Sequence, residues 1–142
     1  MNLETLIILA VAFLSTMLVS IAQSNLRNLK RLEILPDEQD AELVSILIPA
    51  RNEFHNLKRC LDSLINLDYS NIEILVLNDR STDQTAALVE DYQQIDKRIQ
   101  LLQGNELPDG WIGKHWACHQ LSESAKGTII LFVDADTVLA NS

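Results

Sequence analysis

Four short apolar runs, residues 44–48, 72–77, 99–102 and 128–133, recur along the C-terminal two-thirds of this 142-residue chain. Each is rich in Val, Ile and Leu and too short to make a helix, so each reads as a buried strand. Amphipathic segments separate them. Residues 54–67 place Leu57, Cys60, Leu61, Leu64 and Ile65 on one helical face, and residues 81–94 and 114–125 predict two more helices. Strand and helix alternating three times, then a strand, predict an α/β fold with a parallel sheet covered by helices. Right-handed crossovers leave few orders open, and 3-2-1-4 is expected, with the switch point between the first and fourth strands. Local signals set the boundaries. Asn52 reads as a cap for the first of these helices, Ser81 and Gln84 as a capping box for the second, and Gly127 as a left-handed stop after the third.

Ligands bind beyond the carboxyl ends of strands in such sheets, so the residues there carry the chemistry. The fourth strand runs into Asp134-Ala135-Asp136. Two carboxylates flanking one residue can hold a hard divalent ion, Mg²⁺ or Mn²⁺, against a phosphate-bearing ligand. After the second strand stands Asp79, which can accept hydrogen bonds from a base or a ribose, or serve as a turn residue bonding its own backbone. After the first strand come Pro49-Ala50-Arg51-Asn52-Glu53. Asn52 and Glu53 read either as a helix cap and a first-turn acid, or as the start of a helix whose free N–H groups meet a phosphate or base. Asp83 belongs to a helix start. Lys114 opens a helix, where positive charge is unfavourable, and that conflict points to a diphosphate. Trp111 and Trp116 read as packing residues. His115, Cys118 and His119 share a helical face but lack a fourth ligand at zinc spacing. No phosphate-binding Gly-x-x-x-x-Gly-Lys loop or Gly-x-Gly-x-x-Gly turn occurs.

Residues 6–22 carry no charge, a length at the short end for a membrane span. The segment before them holds Glu4 and no Lys or Arg, unlike a cleaved signal peptide. Arg27, Lys30 and Arg31 follow, which predicts a single-pass anchor with the N-terminus outside and the rest cytoplasmic. The expected organisation is an anchor over residues 1–23, a linker over 24–43, and a globular domain over 44–142. Leu26, Leu29, Leu32 and Leu35 fall three apart, so part of the linker reads as an amphipathic helix ended by Pro36, with a solvated acidic run, residues 37–40, after it. The chain has 20 Asp and Glu against 11 Lys and Arg, which argues against nucleic-acid binding through a general positive field. Its two cysteines, Cys60 and Cys118, give no disulfide framework and are expected to be reduced.

Three blocks, VSILIPARNE, IEILVLNDRSTDQT and GWIGKHWACHQLSESAKGTIILFVDAD, resemble in order the N-terminal half of a family 2 glycosyltransferase with the Rossmann-like GT-A fold. The last block is similar to membrane-anchored members associated with carotenoid, hopanoid or other lipid glycosylation. The resemblance implies a nucleotide-diphosphate sugar donor, usually a UDP-sugar, and a lipid or glycan acceptor. It implies that Asp79 contacts the base, that Pro49, Ala50, Arg51 and Glu53 lie beside the nucleoside, and that Lys114 lies near the diphosphate. Asp134 and Asp136 match the family's Asp-x-Asp, with Asp136 the direct metal ligand and Asp134 nearer the ribose and metal shell. Asn78 departs from the two acids often found in the second loop. The general base and acceptor pocket belong to the family's second half, so no catalytic base is expected within these residues. The chain is expected to act as the donor-binding half of an inverting transferase, incapable of transfer alone and with its fourth strand at a bare edge. The alternative is a non-catalytic nucleotide-sugar module or split subunit completed by another chain. A nucleotidyltransferase would carry a glycine-rich basic loop where PARNE stands.

Overall fold

The structure, a computed structural model, describes residues 2–28 and 42–140. The chain divides into two units, residues 1–37 and 38–142. Among its described residues the first contains one helix, α1 (Leu3–Asn28). Its 22-residue span Glu4–Asn25 contains an 18-residue window with a mean hydropathy of 2.5, none of it buried. At 1.5 Å per residue the 22-residue span is about 33 Å long, against a hydrocarbon core of about 30 Å. Among the described residues it is the one helix long and apolar enough to cross a membrane. Three of its hydroxyls are internally satisfied: Ser15, Thr16 and Ser20 donate to the carbonyls of Val11, Phe13 and Thr16, each at 2.8 Å. Such back-bonding lets a polar side chain sit on an apolar helix. The helix continues past residue 23 through Asn28. Lys30, Arg31, Pro36 and the acidic run lie outside the described residues.

The second unit contains β1 (Val44–Ala50), α2 (Phe54–Ile65), β2 (Ile72–Asn78), α3 (Thr85–Ile95), β3 (Ile99–Gln103), α4 (Gly113–Ser124) and β4 (Ile129–Phe132). The four strands form a parallel sheet in the order β3-β2-β1-β4, as the alternation of runs predicts. Period-2 alternation sorts the side chains between two layers. Ile46, Ile48, Ile74 and Val76 pack with Leu57, Cys60, Leu61 and Leu64 of α2 and Leu88, Val89 and Tyr92 of α3. Leu47, Leu75 and Leu77 face the other way, onto Ala117 and Leu121 of α4. Every residue of β2 is buried, whereas Ile129, Ile130, Leu131 and Phe132 of the edge strand β4 are 41–48% exposed. On the α2–α3 side, Tyr92 donates to Asp62, and Arg98 grips Asp96 while reaching the Ile65 carbonyl at 3.2 Å.

The strand tips explain where the sheet opens. Leu43 and Leu47 accept bonds from Ile129 and Val133, so the odd residues of β1 bond towards β4, while the Ala50 carbonyl accepts from Asp79 N on the β2 side. The missing N–H of Pro49 would have faced β4. Pairing of β1 with β4 accordingly stops at Leu47 and Phe132, two residues before the proline, while β1 and β2 stay paired to Ala50 and Asn78.

Several boundary expectations fail, and long-range contacts are the reason. The capping box does not form: α3 starts at Thr85 behind Gln84, which makes no side-chain cap bond. Ser81 Oγ instead accepts from Asn52 N at 3.0 Å. Asn52 does not cap α2, because the position before Phe54 is Glu53 and Asn52 sits in the left-handed region at φ 56°. Gly127 is no left-handed stop either, since Gly110 is the positive-φ glycine among the described residues and α4 ends at Ala125 in extended backbone. Space is what requires Gly127: a Cβ there would lie 2.5 Å from the Leu43 carbonyl oxygen and 2.7 Å from Ser45 N and Oγ. Gly127 N donates to Ser45 Oγ at 2.8 Å, and Ser45 Oγ donates to the buried Glu73 carboxylate at 2.6 Å. Lys126 N gives Glu73 a second bond at 2.6 Å. Burial opposes ionisation of Glu73, but the bonds from Ser45 and the Lys126 backbone prevail and hold its carboxyl below the ordinary range.

Candidate functional site

Beyond the carboxyl ends of β1, β2 and β4 lies a cleft of about 340 Å³ lined by Pro49, Ala50, Arg51, Glu53, Asp79, Gly113, Lys114, Ala117, Asp134, Ala135 and Asp136. Pro49 and Ala50 are the last residues of β1 rather than loop residues. Asp79 directly follows β2 and is held to β1 by its backbone N–H, 2.8 Å from the Ala50 carbonyl. Its side chain is 13% exposed, with Arg51 at 3.7 Å and Arg80 at 3.5 Å. Gly104 packs behind it, where a Cβ would come within 3.3 Å of the Asp79 Cα. Asn78 is used internally: it donates to Gln103 at 2.9 Å and accepts from Ser81 N at 3.0 Å.

The β1–α2 and β2–α3 loops lock together. Asn52 Oδ1 accepts from Thr82 N at 2.8 Å, and Thr85 Oγ1 accepts from Glu53 N at 3.0 Å. Asp83 accepts from Phe54 N at 3.3 Å and from its own neighbour Thr85 N at 2.9 Å. The backbone N–H groups of Glu53 and Phe54 are thus taken up by the neighbouring loop. A bond from the Thr85 side chain, joined by lesser ones from the Thr85 and Phe54 backbone, holds the Asp83 carboxyl below its ordinary range against the opposing effect of burial. Asn52 and Arg80, at φ 56° and 53°, are the non-glycine residues with positive φ among the described residues. Asparagine tolerates that region, whereas arginine is strained there. Both lie in the loops that form one wall of the cleft.

The other wall comes from β4 and α4. Val133 and Ala135 are buried, so alternation leaves Asp134 and Asp136 exposed on either side of Ala135. A turn bond from Thr137 N to the Asp134 carbonyl, 3.0 Å, fixes the segment. Lys114, the second residue of α4, reaches across to Asp134 Oδ1 at 2.7 Å, with both side chains about 60% exposed. The Asp134 carboxylate holds the Lys114 ammonium above its ordinary pKa. Gly113 and Ala117 leave room beside these groups: a Cβ at Gly113 would meet nothing closer than Asp79 Oδ2 at 3.9 Å. Gly113 and Ala117 thus belong to the lining beside the expected residues, and their signal in the sequence is only their small size on the cleft face of α4.

The donor set fits a hard divalent ion. Two exposed carboxylates at a strand end match Mg²⁺ or Mn²⁺, which keep waters and take their remaining oxygens from substrate phosphates. No group of three or more His, Cys, Asp or Glu side chains converges among the described residues, and waters and phosphate oxygens would supply the rest of the shell. Away from the cleft mouth, Trp111 and Trp116 pack edge to face at 5.1 Å and His119 lies 5.0 Å from Trp111. Cys60 is buried under Asp134, and burial followed by the charge of Asp136 pushes its thiol up to about 11.

Comparison with known proteins agrees with this geometry. The profile of Glycosyl transferase family 2 matches residues 45–142. A 4,4'-diaponeurosporenoate glycosyltransferase of Staphylococcus haemolyticus is 30% identical over 103 residues, 72% of this chain and 26% of that protein. The chain spans less than a third of the length of the first curated relatives it matches. Among solved structures, residues 1–349 of S. aureus TarS superpose with a TM-score of 0.57 at 30% identity, covering 69% of this chain and 28% of that one; TarS has also been solved with UDP and with UDP-GlcNAc. The mannosyltransferase PcManGT of Pyrobaculum calidifontis, solved with GDP-Man and Mn²⁺, shares the fold at a TM-score of 0.67 and 24% identity, covering 93% of this chain and 38% of that one. With a parallel 3-2-1-4 sheet, GT-A neighbours and a family match over most of its length, the chain belongs to glycosyltransferase family 2.

Proposed function

We propose that this protein takes a sugar from a nucleotide-diphosphate donor, a UDP-sugar by preference, and serves transfer to a lipid or glycan acceptor at the cytoplasmic face of a membrane. One observation carries the reading: Asp79, Lys114, Asp134 and Asp136, contributed by three separate segments, line one cleft at the sheet's switch point. In this reading Asp79 accepts the imide N–H of the base, and Pro49, Ala50, Arg51 and Glu53 flank the nucleoside. Lys114 meets the diphosphate, and Asp134 and Asp136 hold the divalent ion. That ion, when bound, neutralises charge on the leaving diphosphate. UDP and UDP-GlcNAc in the TarS structures and Mn²⁺ in that of PcManGT support this choice of ligands.

Calorimetry with UDP tests the base contact. Asp79→Ala is expected to weaken UDP binding about tenfold or more, the scale of one charge-assisted hydrogen bond, while the gain on adding Mn²⁺ stays. Unchanged affinity would remove Asp79 from the site. Loss of the metal gain together with affinity would place it in the metal shell instead.

The cytoplasmic face rests on Glu4 before the span and on Arg27, Lys30 and Arg31 in the sequence after it. In a Cys118→Ser background, Asn2→Cys should react with an impermeant thiol reagent on intact cells, and Asp68→Cys, on the exposed surface of the second unit, should react only after lysis. The opposite pattern would reverse the orientation and exclude a cytoplasmic donor.

A further inference from the structure

Lys114 occupies one of the two carboxylates offered to the metal. Its ammonium stands 2.7 Å from Asp134 Oδ1, and an oxygen so engaged is blocked for a divalent ion. The other cation of the cleft, Arg51, lies against Asp79, so Lys114 is the cation on the Asp134–Asp136 side. Ion pairs this exposed contribute little to stability, and the Lys114–Asp134 pair can be given up at small cost. Lysine suits such an exchange, being a point charge on a flexible stem rather than a fixed fork. We propose that Lys114 is an exchangeable counter-ion: without donor it neutralises Asp134 and keeps divalent metal out, and it leaves that carboxylate when a diphosphate arrives to receive it. Metal and donor then bind as a coupled pair. The proposal rests on the donor-site reading above and adds to it an ordering of events.

Mn²⁺ binding followed by electron paramagnetic resonance of the free ion, on the full chain with and without UDP, tests the proposal without reference to turnover. In the unaltered protein, saturating UDP should tighten Mn²⁺ binding about tenfold or more, within the usual range of couplings between sites. Lys114→Met should tighten Mn²⁺ binding in the absence of UDP about fivefold and shrink the UDP-dependent gain correspondingly. Lys114→Arg, which keeps the charge, should retain weak binding of Mn²⁺ alone. Both substitutions fall on an exposed side chain, and circular dichroism checks that the fold is kept. If Lys114→Met leaves binding of Mn²⁺ alone unchanged or weaker while UDP still tightens it in the unaltered protein, the counter-ion role is wrong and the donor site stands. If UDP gives no gain in the unaltered protein, the donor-site reading falls and this proposal with it.

Discussion

Asp136→Ala is expected to lower the affinity for UDP in the presence of Mn²⁺ by about 100-fold, on the scale of several kcal/mol that a bound metal supplies to phosphate oxygens, and to leave UDP affinity in chelator unchanged. The two carboxylates are not equivalent. Asp134 is paired with Lys114, whereas Asp136 makes no ion pair among the described residues. It is exposed, beside the buried Ala135 that anchors the segment. Removing its carboxylate therefore costs the fold little and takes away the ligand that is free before any donor binds. Calorimetric titration of UDP, with Mn²⁺ and with chelator, reads both arms. A variant that keeps the full Mn²⁺ gain would show that the ion is held elsewhere and would sink the Asp-x-Asp assignment. A variant that loses affinity equally in both arms would place Asp136 on the nucleotide itself.

The parts of this molecule legible in its sequence are those decided within a few residues. Apolar runs of four to six residues mark the strands: in β1 and β2 burial on both faces selects Val, Ile and Leu, whereas β4 carries the same composition at an exposed edge, against the expectation of a buried strand. Handed crossovers narrow the sheet order to a few, among which 3-2-1-4 is the expected one, and the cleft is marked by polar residues placed where such runs end. Details that depend on partners distant in sequence were illegible. Asp83 and Thr85 bond the start of a helix about thirty residues earlier in the chain, and nothing in the spacing of Ser81 and Gln84 reveals that the backbone prefers those partners to its own capping box. Asn52 looks like a cap by residue type, yet its left-handed backbone turns its amide towards Thr82. Glu73 is the clearest case. It is an acid inside the run read as a buried strand, and its carboxylate is satisfied there by Ser45 and by the Lys126 backbone, partners 28 and 53 residues away.

The approach of residues 126–127 to β1 makes Gly127→Ala the substitution with the largest expected effect on stability. Its methyl would arrive 2.5 Å from the Leu43 carbonyl and 2.7 Å from Ser45 N, both backbone atoms at the start of a strand paired on both sides. Neither neighbour can yield as a flexible side-chain tip would, so the α4–β4 connection must lift away. Lifting breaks the bonds from Gly127 N to Ser45 and from Lys126 N to Glu73, and strips donors from a buried carboxylate. Overpacking alone costs about 1–3 kcal/mol, and an under-satisfied buried acceptor adds about 1–3 more. A total of about 3 kcal/mol or more is a large share of a domain's 5–15 kcal/mol and corresponds to a Tm lower by roughly 12 °C or more. The loss should depend on pH. Glu73 is held below its ordinary pKa in the folded state, so its hydrogen bonds contribute stability above the unfolded carboxyl pKa, and that contribution fades as pH falls through the folded value. The gap between the two proteins should therefore be widest near neutral pH and narrow in acid. Thermal unfolding of the full chain in detergent, followed by the fluorescence of Trp111 and Trp116 beside and on α4, measures both. A Tm within about 2 °C of the unaltered protein at neutral pH, a shift worth well under 1 kcal/mol, would mean that the connection has room the structure does not show and that Gly127 is dispensable.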